Sequence, residues 1–268
     1  MSELVHGQSS LAAGCAVLGR ERFSLLERVP YRLAFLTVSG AHLYGFPSAD
    51  SDFDLRGMHV TPLARVLSLF PFRETWEDQG ELDGPLDEIV THDARKYFRL
   101  LLNNNGYVLE QVFSSLVVIE GVLPELRAIA KRCVTRLHYR HYLGFSDGEW
   151  RKFANRPDKT VKRLLYAFRV VLTGIHLMKT GEVEANVERL NDAAKLPYLD
   201  ELVAAKQSGT EFGSLPAGHG YDFYQREFVR LVRSLEETGR ASILRTEPED
   251  SAQGELDDLL LRLRLQAK

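Results

Sequence analysis

Two kinds of hydrophobic spacing divide the chain. In the first part, short apolar runs stop at glycines or alternate with polar residues. RLAFLTVSG (Arg32–Gly40) is a β-rich run ending at a glycine, the pattern of a buried strand. DFDLRGMHV (Asp52–Val60) alternates, with Phe53, Leu55 and Gly57 on one parity and Asp52, Asp54, Arg56 and Met58 on the other. That predicts a strand with one face in the core and the other lining a site. ARVLSLF (Ala64–Phe70) is expected to add a strand, and LDEIVTHD (Leu86–Asp93) another. The polar, acidic PFRETWEDQGELDGP (Pro71–Pro85) between them reads as a loop or hairpin. ARKYFRLLLNN (Ala94–Asn104) then changes to helical spacing, with Asp93 placed as a cap or first-turn acid.

After a break near residues 115–125 the spacing is helical throughout. TVKRLLYAFRVVLTGIHLMKTG (Thr160–Gly181) predicts a long helix, with Thr160 at the N-cap and Gly181 as its terminal glycine. NVERLNDAAK, YLDELVAAK, FYQREFVRLVRSLEE and ELDDLLLRLRLQAK carry the same period. An α/β half is thus followed by an all-helical half.

Composition narrows the class. With 268 residues, 44% of them hydrophobic, the chain suits one large domain or two modest ones. A net charge of −3 gives no global field of the kind a general nucleic-acid binder shows, so local charge must be read instead. Two cysteines, Cys15 and Cys133, are too few for a disulfide framework and read as buried, inert thiols. The first residues lack a basic leader region, and no apolar run approaches the about 18 residues of a membrane span. The expected location is cytoplasmic, with no membrane partner.

The candidate chemistry lies in SGAHLYGFPSADSDFDLRG (Ser39–Gly57), where Asp50, Asp52 and Asp54 occupy every second position behind a glycine turn. Asp50 and Ser51 are residue types that turns favour. On an alternating strand Asp52 and Asp54 share a face, about 7 Å apart. Their carboxylates would raise each other's pKa unless a cation neutralised them. Hard oxygen donors without thiolates or a histidine set favour Mg²⁺ or Mn²⁺, an ion that also takes substrate phosphates.

The same stretch resembles the signature of the DNA polymerase β-like nucleotidyltransferase superfamily: an apolar strand, Gly-Ser, about a dozen residues, then alternating acids in a second strand. More narrowly it resembles the nucleotidyltransferases associated with RNA repair, through Gly40, His42, Tyr44, Gly45, Ser51, Asp52, Asp54, Leu55, Arg56 and Gly57. Weaker likenesses follow in DARKYFRLLLNNNGYVLEQVFS and YAFRVVLTGIHLMKTGEV, so that the resemblance spans about residues 33–190.

This resemblance implies an α+β fold. A nucleotidyltransferase domain with a mixed β-sheet flanked by helices would occupy residues 1–120. An all-helical domain over residues 121–268 would complete the nucleotide and acceptor cleft. It implies a two-metal enzyme moving an NMP from an NTP, such as ATP, to an acceptor hydroxyl, with release of pyrophosphate. The acceptor it suggests is an RNA 3′ end, tRNA-like or broken; the alternatives are transfer to a protein or small molecule, or a catalytically quiet antitoxin-like or nucleotide-sensing module. Asp52 and Asp54 would hold the metal, and Glu88 would be the third carboxylate, with Asp87 next in line. Ser39, Gly40, Ala41, His42 and Arg56 would lie against the nucleotide, with Arg56 placed either to bridge carboxylates or to touch phosphate. Lys162 and Arg169, in the basic run RKFANRPDKTVKRLLYAFR, would reach the triphosphate or an RNA backbone. Two departures stand out. The family serine is Ala41, so its phosphate contact is lost or passes to Ser39, and the proline expected after Asn105 is Gly106.

Overall fold

Apolar runs without polar interruption make strands buried on both faces, and Arg32–Gly40 does so here. The computed structural model describes residue 18 and residues 24–79, 88–209 and 213–267. In chain order the elements are α1 (Ser24–Glu27), β1 (Arg32–Ser39), α2 (Gly40–Tyr44), β2 (Asp54–Val60), α3 (Leu63–Val66), β3 (Thr75–Gln79) and β4 (Glu88–Asp93). Next come α4 (Ala94–Leu102), α5 (Gly106–Phe113), β5 (Val117–Ile119) and α6 (Leu123–Cys133). The remaining helices are α7 (His138–Ala154), α8 (Val161–Thr180), α9 (Val187–Ala194), α10 (Pro197–Ser208), α11 (Tyr221–Ala241) and α12 (Asp250–Gln266). The architecture is α+β.

Two compact units share these elements. The first takes the described residues up to Gly40, Asp52–Cys133 and those from Pro248 onward; the second takes Ala41–Ser51 and Val134–Glu247. In the first unit the sheet runs β3-β4-β2-β1-β5. It is mixed: β2 and β4 are parallel, and the other neighbours are antiparallel. Val38, Leu55 and Ile89 align across three strands on one face. With Leu36, Phe53 and Val118 they form a buried core. Each such side chain contributes about 1.5–3 kcal/mol when fully buried. The opposite face is covered by helix: Phe35 meets Tyr97 of α4 edge-on at 5.3 Å.

Two sequence expectations are corrected. Ala64–Phe70 is not a strand; Pro62 leads into the short helix α3, and Leu67, Leu69 and Phe70 beyond it are exposed. Apolar residues that bury nothing have no strand partner to specify. The strand expected from Asp52 begins at Asp54, and it is buried along nearly its whole length because helix covers its second face. The acidic segment takes its hairpin alternative: it contains strand β3, which pairs antiparallel with β4 and whose polar sequence suits a sheet edge.

The C-terminal helix is fixed to this unit by a buried ion pair. Arg264 of α12 donates from Nη1 to Asp93 Oδ2 at 2.9 Å, from Nη2 to Oδ1 at 2.5 Å, and from Nη1 to the Thr61 carbonyl at 2.7 Å. Asp93 also caps α4, accepting from Arg95 N at 3.0 Å. Burial alone would raise the Asp93 carboxyl, but hydrogen bonds from Arg264 and Thr61 and the Arg264 charge hold it below its ordinary 3.8. A depressed carboxylate stabilises fully above its unfolded value and loses that contribution as pH falls through the folded one. Arg264→Met leaves Asp93 buried and unpaired, and is expected to cost about 3–5 kcal/mol. The denaturation midpoint at neutral pH measures it, and the gap from wild type should close below pH 3.8.

The second unit is helical. In α8 the ends match the sequence signals: Thr160 occupies the N-cap position, and Gly181 closes the helix at φ 75°. Asn186 caps α9 by accepting from Glu188 N and Arg189 N.

Candidate active site

Strand register builds the acidic end of the first unit. Ser39 at the end of β1 pairs with Asp54, and Asp54 pairs with Glu88 across the parallel β2–β4 ladder. Residues opposite one another in a ladder share a face. Three chain segments therefore place Ser39, Asp54 and Glu88 in one row on the helix-covered side. Gly40 follows Ser39 with φ +63°, and a β-carbon there would lie 2.0 Å from Asp54 Oδ2. Only glycine leaves room for that carboxylate.

One arginine organises the row. Two residues along β2 on the same face as Asp54, Arg56 donates from Nη2 to Asp54 Oδ1 at 2.8 Å and also to Glu88 Oε2. Its Nη1 donates to the Leu55 carbonyl at 3.0 Å and the Glu88 carbonyl at 3.4 Å. Nε donates to the Tyr107 hydroxyl at 2.8 Å. Burial alone would lower the Arg56 pKa, but the pull of Tyr107, Asp54 and Glu88 outweighs it and holds the group above its ordinary value. It is a permanent cation. Burial pushes the Tyr107 phenol upward, partly offset by the Arg56 charge and hydrogen bond. Tyr107 therefore stays a neutral hydroxyl at physiological pH.

Arg56 offsets charge between Asp54 and Glu88, whereas the repulsion expected from the sequence is that between Asp52 and Asp54. Its side chain is 10% exposed, against 20% for Asp54 and 31% for Glu88, so water screens the pair only partly. Asp52 lies just before β2 and is half-buried, while Phe53 between the two aspartates enters the core. The Phe53 carbonyl accepts from Glu88 N at 2.9 Å and fixes that acid's backbone. Asp87 lies outside the described residues. Among the described residues, no group of three His, Cys, Asp or Glu side chains is gathered as a metal cage. The donors nonetheless fit a hard cation in kind: they are carboxylate oxygens, and those of Asp54 and Glu88 converge on one positive group.

The other expected site residues lie in the second unit. Ala41 is buried and His42 half-buried. Arg169 is fully buried, with its guanidinium carbon 3.9 Å from the centre of the Tyr44 ring and 5.7 Å from that of Phe145. That is a cation–π stack supporting the motif tyrosine. Lys162 is half-buried, with Nζ 5.9 Å from the Tyr166 ring centre. Asp50 accepts from Ser48 Oγ at 2.7 Å, as a turn aspartate does.

Sequence reasoning missed two residues. Lys206 is fully buried in α10 and donates to Ser48 Oγ, with Ser51 Oγ at 3.4 Å. It anchors the turn that precedes Asp52. Its signal was present: Leu199, Leu202, Val203 and Lys206 follow the 0, 3, 4, 7 spacing of a buried helix stripe, and a lysine there needs a polar partner. Tyr107 gave no such sign, because its partner lies 51 residues away.

Comparison with known proteins bears on this site. Residues 20–262 match the model of RlaP, the RNA repair pathway DNA polymerase beta family. A curated relative, the uncharacterized protein YcgL of Bacillus subtilis (strain 168), is 25% identical over 243 residues, covering 86% of this chain and 88% of that protein. A crystal structure of a nucleotidyltransferase-like protein from Exiguobacterium sibiricum 255-15 is 13% identical, with a TM-score of 0.31. It covers 91% of this chain and 78% of that one.

Proposed function

The chain belongs to the RNA repair pathway DNA polymerase beta family, and from that premise we propose that it transfers an NMP from an NTP to an RNA 3′-hydroxyl with release of pyrophosphate. Nucleotidyl transfer as a class follows from the family; the metal, the acceptor and the residue roles are our reading. The observation that carries it is the Asp54–Arg56–Glu88 row beside Gly40, where two acids are held at the strand ends of the family motif.

Asp52 and Asp54 would hold Mg²⁺ or Mn²⁺, with Glu88 as the third ligand. A divalent ion bound there supplies charge neutralisation at the reacting phosphate and lowers the pKa of the attacking hydroxyl. Gly40 leaves room for the Asp54 carboxylate. The main chain of Ser39–Ala41, with His42, would lie along the nucleotide, and Ser39 would take over the hydroxyl contact that Ala41 lacks. Lys162 would pair with phosphate charge. Arg169, buried against Tyr44, would act on the nucleotide through that ring.

The test is incubation with each α-labelled NTP, Mg²⁺ or Mn²⁺, and RNA bearing a free 3′ end. Label on RNA, with pyrophosphate released in proportion, is the expected result. Label on a protein or small-molecule acceptor alone would redirect the acceptor. Nucleotide binding without turnover on any acceptor would reduce the protein to a sensor.

A further inference from the structure

Resting on the reading of Asp54 and Glu88 as metal ligands, we propose that Arg56, locked by Tyr107, is an internal cation that competes with the divalent ion for those two carboxylates. A guanidinium carries five N–H donors. All five are matched here: the Tyr107 hydroxyl, the carbonyls of Leu55 and Glu88, Asp54 Oδ1 and Glu88 Oε2. Arg56 is therefore saturated and held from both ends. To touch a phosphate it must first give up one of these acceptors. An ion that takes both carboxylates must do the same to it, because two positive charges cannot share that pair without strong repulsion.

The consequence is an order of events. In the free protein Arg56 offsets one of the two negative charges and occupies an oxygen of each acid, so a lone cation gains less by entering. An ion arriving with a triphosphate brings extra negative charge, which gives the displaced guanidinium a new partner. The latch thus suppresses binding of metal alone and favours metal carried by nucleotide. Tyr107 sets how firmly the latch is closed, acting as a positioning residue through Nε.

The experiment is a Mn²⁺ titration of the full chain without nucleotide, followed by the electron paramagnetic resonance signal of free Mn²⁺. Arg56→Gln is expected to tighten Mn²⁺ binding by about tenfold, and added Mn²⁺ should raise its denaturation midpoint more than it raises that of wild type. Tyr107→Phe removes only the phenol hydroxyl and should tighten binding about threefold. It keeps the test decisive should the arginine variant fold poorly. Asp54→Asn should abolish binding in both backgrounds. Unchanged or weaker Mn²⁺ affinity in Arg56→Gln and Tyr107→Phe, with Asp54→Asn still binding-deficient, overturns the competition while leaving the metal site standing. Retained binding in Asp54→Asn overturns the site reading itself.

Discussion

Asp54→Asn is expected to lower NMP transfer by about a thousandfold while moving the denaturation midpoint much less than that loss would imply. Charge stabilisation by a divalent ion is worth several kcal/mol, and about 4 kcal/mol corresponds to that factor in rate. The folded state loses less. Asparagine keeps the size of the side chain and an oxygen that can accept from Arg56 Nη2, now at 2.8 Å from Asp54 Oδ1. With Glu88 still paired to Arg56, a mostly buried contact that loses only its charge costs about 1.5–3 kcal/mol. The separation between a large kinetic and a smaller thermodynamic effect is what distinguishes a ligand from a structural acid. Steady-state transfer of α-label beside a thermal melt measures both, and a variant retaining more than about a tenth of wild-type transfer would remove Asp54 from the reaction.

Gly40→Ala is the second large effect, and it acts through geometry. The added carbon would sit 2.0 Å from Asp54 Oδ2 and 2.9 Å from Asp54 Cγ, so the carboxylate must turn away. A displacement of about 1 Å at a reacting centre can cost about a hundredfold in rate. The left-handed backbone at φ +63° adds about 1–2 kcal/mol of strain for any L side chain. Gly57 gives the contrast. A β-carbon there would meet the main-chain oxygen of Phe35 at 2.3 Å, which cannot rotate aside, so Gly57→Ala should show its damage chiefly in the denaturation midpoint. If Gly40→Ala melts lower yet transfers at the wild-type rate, the close approach to Asp54 has no catalytic meaning.

Much of the local structure was legible because its causes are local. The apolar run Arg32–Gly40, the glycine turn, the acids of Asp52–Asp54, the capping role of Asp93 and the Gly181 helix end each follow from neighbours in sequence. Parity along β2 put Arg56 on the side of Asp54, and bridging of carboxylates was one of its two expected roles. What stayed hidden depends on distant partners. Arg264 finds Asp93 across 171 residues, and Lys206 reaches Ser48 across 158. The register that sets Glu88 against Asp54 spans strands that no short window contains. Leu67, Leu69 and Phe70 misled in the opposite sense, since an apolar run implies a strand only when something covers it.

The most direct test of the central claim is crystallographic. Crystals of the full chain grown with Mn²⁺ and a triphosphate that cannot release its β-phosphate should show an anomalous peak within bonding reach of Asp52 and Asp54, with Arg56 turned off at least one carboxylate. An empty acidic row with nucleotide bound elsewhere, or a metal seated on other side chains while Arg56 still bridges Asp54 and Glu88, would contradict it.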